Sequence, residues 1–166
     1  MSSARLQASL LEARERRQQA LSSRLGEGAA TIFLSLNIPG ADKTPPGAEA
    51  FFAAMQEMLL AAFEPSWKCC AGRDALGPYA IVSVEVDAAE TKRRCLALEA
   101  SAPAARLADL DVYAADGRQL DRASLALPPR SCLVCAQAAV DCMRAQRHAA
   151  PEVIARVHEL LAPFRT

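Results

Sequence analysis

The stretch ARLADLDVYAADGRQL, residues 105–120, constrains this chain more than any other, because apolar and polar residues alternate along it before it breaks at Asp116-Gly117. Alternate side chains of a strand point to opposite faces, so Leu110 and Val112 face one way and Asp109 and Asp111 the other. An Asp-Gly pair closing such a run signals a hairpin, since a two-residue turn needs positive φ and glycine supplies it without steric cost. A sheet built around a hairpin is not all parallel.

The rest of the chain interleaves strands and helices. Leu6, Leu10, Leu21 and Leu25 recur among charged residues and predict a surface helix over about 4–25. Ile32, Leu34 and Leu36 alternate with Thr31, Phe33 and Ser35 in a strand ended by Pro39-Gly40. AEAFFAAMQEMLLAAF is apolar nearly all round, as a helix buried against a sheet is. WKCCAGRDALGP reads as irregular, with at most a short strand from Trp67 to Cys70, whereas Tyr79–Val86 is a strand. Asp87 with Glu90 three residues later is an acidic capping box, opening a helix in which Thr91, Cys95 and Leu98 share a face. Helices over about Leu133–Arg147 and Pro151–Pro163 close the chain. The fold class that follows is α/β (α+β): a single domain with a mixed sheet, a hairpin carrying D-x-D, flanking helices and a helical carboxyl end.

Composition narrows the function classes. A chain of 166 residues, 52% hydrophobic and 23% charged, is long enough for one domain with a core. Its 19 basic and 19 acidic residues cancel, which removes the footprint of a dedicated nucleic-acid binder. The amino-terminal stretch has no apolar block of signal-peptide or membrane-spanning length, so a cytoplasmic protein with no membrane partner is expected. Of six cysteines, Cys69 and Cys70 are adjacent, where a bridge is strained, and a reducing compartment fits better than a disulfide framework.

Three constellations could carry chemistry. Asp109 and Asp111, roughly 7 Å apart at the backbone, can converge on one Mg²⁺ or form the wet side of a hairpin, with Glu99 the nearest third carboxylate. Cys132, Cys135, Cys142 and His148 are ligand types that suit zinc. In a continuous helix, however, Cys135 and Cys142 stand roughly 10 Å apart, too far for one ion. Zinc then requires a helix that starts after Cys135 or breaks before Cys142, and otherwise the thiols form a stripe packed on the core. NIPGADKTPPG offers Lys43 and backbone amides to a phosphate, or is a plain Pro-Gly turn. No Ser, His and acid arrangement is legible, so a triad hydrolase is not proposed.

As an ordered series, several segments resemble the citrate lyase holo-acyl-carrier-protein synthase family, the apo-citrate lyase phosphoribosyl-dephospho-CoA transferases. LLEARERRQQAL is similar to that family's R-E-x-R amino-terminal helix, LSLNIPGADK to its first strand and N-I-P-G loop, and ARLADLDV to its G-R-L-x-D-x-D-V segment. LPPRSCLVCAQAAVDCMRAQRH resembles its P-P-R-x-C-L-x-C tail with the third Cys and the His. The resemblance implies one transferase domain over 1–166 and a nucleotidyltransferase-type reaction. In it, a serine of the apo acyl carrier protein subunit of citrate lyase attacks the α-phosphate of triphosphoribosyl-dephospho-CoA and diphosphate leaves. It further implies Mg²⁺ on Asp109 and Asp111, Arg106 on the triphosphate, Glu99 as third ligand or base, and Arg130 and Lys43 as phosphate contacts.

Ala105 stands where that family has glycine, and Ala105→Gly is expected to raise the rate if Ala105 is a partial obstruction at a phosphate loop. The readings that remain are transfer to the citrate lyase carrier, transfer to another carrier such as that of malonate decarboxylase, and a non-catalytic carrier-binding or zinc-dependent interaction module.

Overall fold

The alternation of Ile32, Leu34 and Leu36 with Thr31, Phe33 and Ser35 builds the central strand β1 (Ala30–Leu36) in the computed structural model, which describes residues 3–65 and 67–165. Around it the chain runs α1 (Ser3–Ser22), β1, α2 (Ala48–Ala62), β2 (Trp67–Asp74), β3 (Gly77–Val84), α3 (Ala88–Glu99), β4 (Ala108–Ala114), β5 (Gln119–Leu120), α4 (Ala139–Arg144) and α5 (Ala150–Leu161). The five strands lie in the order β2-β3-β1-β4-β5.

Every pairing is antiparallel, where a mixed sheet was expected. The reason is topological. The crossover β3–α3–β4 does return a parallel strand, but β1 lies between the two and pairs antiparallel with both. The parallel relation is present in the chain path and absent from the hydrogen-bond ladders.

Side-chain alternation divides the sheet into two unlike faces. Ile32, Leu34, Val82, Leu110 and Val112 pack with Phe51, Phe52 and Met55 of α2, Cys95 of α3 and Val157, Leu160 and Leu161 of α5 to form the main core. On the other face Phe33 and Ile81 meet Leu21 of α1. Arg17 fixes that helix: its guanidinium makes two 2.7 Å hydrogen bonds to the Asp74 carboxylate and a third to the Gly77 carbonyl, while lying 4.8 Å from the Tyr79 ring centroid. Asp109 and Asp111 point to this second face, and both remain half-exposed.

Local chemistry accounts for the element ends. Asp87 accepts hydrogen bonds from the backbone N–H groups of Ala89 and Glu90 and so caps α3 as its sequence predicts. The β4–β5 connection is a three-residue loop rather than a two-residue turn: Ala114 N–H bonds the Arg118 carbonyl, and Gly117 takes φ +84° just before the return strand. That is the hairpin whose last loop residue is a left-handed glycine.

Two expectations fail here for physical reasons. β2 runs eight residues, not four, and escapes notice because it is an edge strand with both faces partly wet, so no apolar alternation marks it. The helix expected over Leu133–Arg147 is only α4, six residues long. Before it, Cys132 N–H bonds the Gln137 carbonyl at 2.7 Å and Ala139 N–H bonds the Arg130 carbonyl at 2.8 Å, which folds 130–139 into a tight knuckle instead. Among the described residues no helix is long and apolar enough to cross a membrane.

Ala105 is not an obstruction. It lies in the 3₁₀ turn Ala104–Leu107, 1% exposed, with its methyl in the main core. Ala105→Gly should therefore lower stability by about 1–2 kcal/mol, through lost burial and a freer unfolded chain, without raising any rate. A urea unfolding midpoint measures the first and a turnover assay the second.

Candidate functional site

The site grows from an unfinished sheet edge. β5 pairs only with Val112 and Tyr113, so the outer edge of β4 at Leu110 lacks a strand partner. Two charged side chains of α3 replace it: Glu99 Oε1 accepts from Leu110 N–H at 3.0 Å, and Lys92 Nζ donates to the Leu110 carbonyl at 2.8 Å. The two residues are seven apart, two turns along one helix face, and both are nearly fully buried. Buried charge of this kind persists only when paired.

Glu99 is paired by arginines. Arg130 Nη2 lies 2.8 Å from Glu99 Oε1 and 3.3 Å from Asp109 Oδ1, so a guanidinium bridges the two carboxylates. Arg122 Nη2 reaches Glu99 Oε2 at 3.4 Å. Asp111 accepts a 2.9 Å hydrogen bond from the Gln119 amide. Burial, and then the neighbouring Asp109 carboxylate, push the Asp111 carboxyl above the usual aspartate range. Burial and the same two aspartates push Tyr113 up to about 12.

Two clefts open beside this network and share Glu99, Arg122, Pro129 and Arg130. The smaller, about 410 Å³, holds Asp109, Asp111 and Lys92, and the larger, about 790 Å³, holds Arg106 and Ser131. Arg106 donates through Nη2 to the Ser131 carbonyl at 2.6 Å, to Ser131 Oγ at 3.0 Å and to the Cys132 carbonyl. Of the residues singled out in the sequence, Asp109, Asp111, Glu99, Arg106 and Arg130 therefore come together. Lys43 does not: it lines neither cleft, its ammonium donates to the Ile38 carbonyl at 2.8 Å within its own loop, and burial followed by Arg14 lowers its pKa.

Arg122 and Lys92 escaped the sequence reading. Lys92 had a signal in its two-turn spacing from Glu99; Arg122 had none, since it acts from an irregular segment after β5.

The stripe of thiols on the core is not what the structure contains. Because α4 begins at Ala139, Cys135 lies outside it, and the ligand atoms of Cys132, Cys135, Cys142 and His148 all fall within 4.8 Å of one another, a group able to hold a metal ion. Cys135 Sγ is 3.4 Å from Cys142 Sγ and 3.3 Å from His148 Nε2. The Gln137 backbone N–H, then His148 and Cys142, draw the Cys135 thiol down to about 7, while burial and the neighbouring thiols push Cys142 up to about 11. The knuckle that carries Cys132 and Cys135 also forms a wall of the larger cleft through Ser131, Ala136 and Ala138.

The family model described as apo-citrate lyase phosphoribosyl-dephospho-CoA transferase matches residues 6–164. A protein of that name from Escherichia coli O139:H28 is 39% identical over 87 residues, 52% of this chain and 48% of the relative, so the chain spans about half the length of that relative. A probable apo-citrate lyase phosphoribosyl-dephospho-CoA transferase of Vibrio cholerae serotype O1 is 30% identical over 134 residues, 78% of this chain and 75% of the relative. With the family model matched from the amino-terminal helix to the last turn, the chain belongs to the apo-citrate lyase phosphoribosyl-dephospho-CoA transferase family.

Proposed function

We propose that this protein transfers the phosphoribosyl-dephospho-CoA group from triphosphoribosyl-dephospho-CoA to a serine of the apo acyl carrier protein subunit of citrate lyase. The observation that carries this reading is the family match over residues 6–164. In the proposed reaction the serine oxygen forms a bond to the α-phosphorus, the bond to the β-phosphate oxygen breaks with its electron pair leaving as diphosphate, and the hydroxyl proton passes to water.

Such a reaction asks an enzyme for positioning and for neutralisation of phosphate charge rather than for a nucleophile of its own. The two adjoining clefts are of a size that suits a large ligand, and Arg122 and Arg130 reach both of them. Glu99, buried and bonded to both, acts in this reading as a positioning residue that fixes their forks, a different part from that of metal ligand or base. Arg106 braces the wall of the larger cleft.

Asp109 and Asp111 fit a divalent cation, since they are two carboxylates on one strand face and burial, then the Asp109 charge, makes ionisation of Asp111 costly. A Mg²⁺ held there would neutralise triphosphate charge. Without such a cation the bare carboxylates would repel an incoming triphosphate.

The test follows diphosphate release. Release that needs both the donor and an apo carrier supports the transfer. Donor consumption at the same rate without carrier, or no release with a carrier that another source can load, contradicts it. Loading of a malonate decarboxylase carrier in preference would move the partner and keep the chemistry.

A further inference from the structure

We propose that Cys132, Cys135, Cys142 and His148 together bind one structural zinc ion that staples the segment between residues 121 and 150. Tetrahedral zinc with Zn–S of about 2.3 Å and Zn–N of about 2.0 Å sets two sulfurs about 3.8 Å apart and a sulfur and a nitrogen about 3.5 Å apart. The Cys135–Cys142 and Cys135–His148 separations of 3.4 and 3.3 Å come within about 0.4 Å of those distances before any ion is placed, and all four ligand atoms lie within 4.8 Å of one another.

The surroundings are built for thiolates and for an oriented imidazole. Val134 N–H points at Cys132 Sγ at 3.4 Å, and a donor aimed at sulfur favours its anionic form. His148 turns Nε2 to the cysteines while its Nδ1 lies 3.4 Å from the Glu152 carboxylate. A carboxylate behind a ligating histidine fixes its tautomer and raises its basicity. Three thiolates favour zinc over the hard cation suited to Asp109 and Asp111. Four protein donors leave no open position, which marks a structural rather than a catalytic site.

An independent observation says why a staple is needed. From residue 121 to 150 the buried residues are Cys132 and Cys142 alone, while Leu127, Val140 and Met143 are exposed. With two thiols buried and Leu133 packed partly buried on the main core, these thirty residues have no core of their own, the circumstance in which small units are commonly held by metal or disulfide. Zinc at this point also fixes the cleft wall, because Arg106 bonds the carbonyls of Ser131 and Cys132, and Arg130 precedes them by one residue.

Binding releases the thiol protons to solvent, so loading should weaken as pH falls. The experiment is metal analysis of the purified full chain, with Co²⁺ substituted in a second sample. The expected result is one zinc per chain, and for Co²⁺ an intense visible spectrum of tetrahedral type with a sulfur charge-transfer band. Cys142→Ser and His148→Gln should each lose at least tenfold in zinc affinity, while Cys95→Ser, altered in the main core, keeps full loading. Chelation should open the tail to trypsin at Arg144 and Arg147 and leave the sheet resistant. A folded chain that carries no zinc, takes up none on titration, and gives only the weak spectrum of six-coordinate Co²⁺ would overturn the proposal. No substrate enters these measurements, so the site stands or falls separately from the transfer reading.

Discussion

Asp109→Asn and Asp111→Asn are each expected to leave a folded protein whose transfer rate has fallen on the order of a hundred- to a thousandfold, the scale of losing one electrostatic contact to a developing phosphate charge. Both changes keep the side-chain size and remove the charge that would hold a cation. For Asp111 the stability effect has a definite sign. Burial and the Asp109 carboxylate raise its folded pKa above the unfolded value, so what this group contributes to stability is fully present below the ordinary aspartate range and is lost as pH rises through the raised value. At neutral pH the ionised side chain is a net cost, and Asp111→Asn should be neutral or stabilising by under about 1 kcal/mol. Its remaining oxygen can still accept from the Gln119 amide. Mg²⁺ should raise the melting temperature of the wild type and not of either variant, a readout that needs no turnover. Normal transfer in both variants would return the pair to the surface of a hairpin.

Arg130→Met should be the most destabilising single change at the site, costing about 3 kcal/mol. Among the described residues the variant leaves Glu99, 4% exposed, with Arg122 at 3.4 Å and the Leu110 N–H as its partners. Removing one partner of a buried ion pair strands the other charge, which is the expensive half of such a pair. Adding Glu99→Gln to Arg130→Met should recover a large part of that loss, because the stranded charge is gone while an amide oxygen can still serve Leu110 N–H. Urea midpoints at unchanged m-value give the coupling. A double variant no more stable than Arg130→Met would mean that Arg130 contributes by packing rather than by charge. Both variants should transfer poorly.

What was legible in the sequence is what alternation and capping control. β1, β3 and β4 lie in or beside the middle of the sheet, each with a face in the main core, and their apolar residues repeat with period two. The Asp87 cap was visible because an N-cap acts on the next three residues, within reach of local reading. β2 was not, since an edge strand with two wet faces needs no pattern. The closure of the β4 edge was equally hidden: it depends on where Lys92 and Glu99 land against a strand eleven or more residues further on. The Cys/His cluster failed in a different way. Its ligand types are plain, but the pattern of the segment predicts one helix, and a knuckle closed by two backbone hydrogen bonds brings together sulfurs that a helix would hold apart.

Transfer of the group is read most directly from the intact mass of the carrier. Apo acyl carrier protein of citrate lyase is incubated with this protein, triphosphoribosyl-dephospho-CoA and Mg²⁺, and is then weighed. The expected result is a gain of one phosphoribosyl-dephospho-CoA group on a single serine of the carrier, lost with Asp109→Asn and on removal of Mg²⁺. A carrier of unchanged mass at every Mg²⁺ concentration, in a sample that another transferase can load, would contradict it.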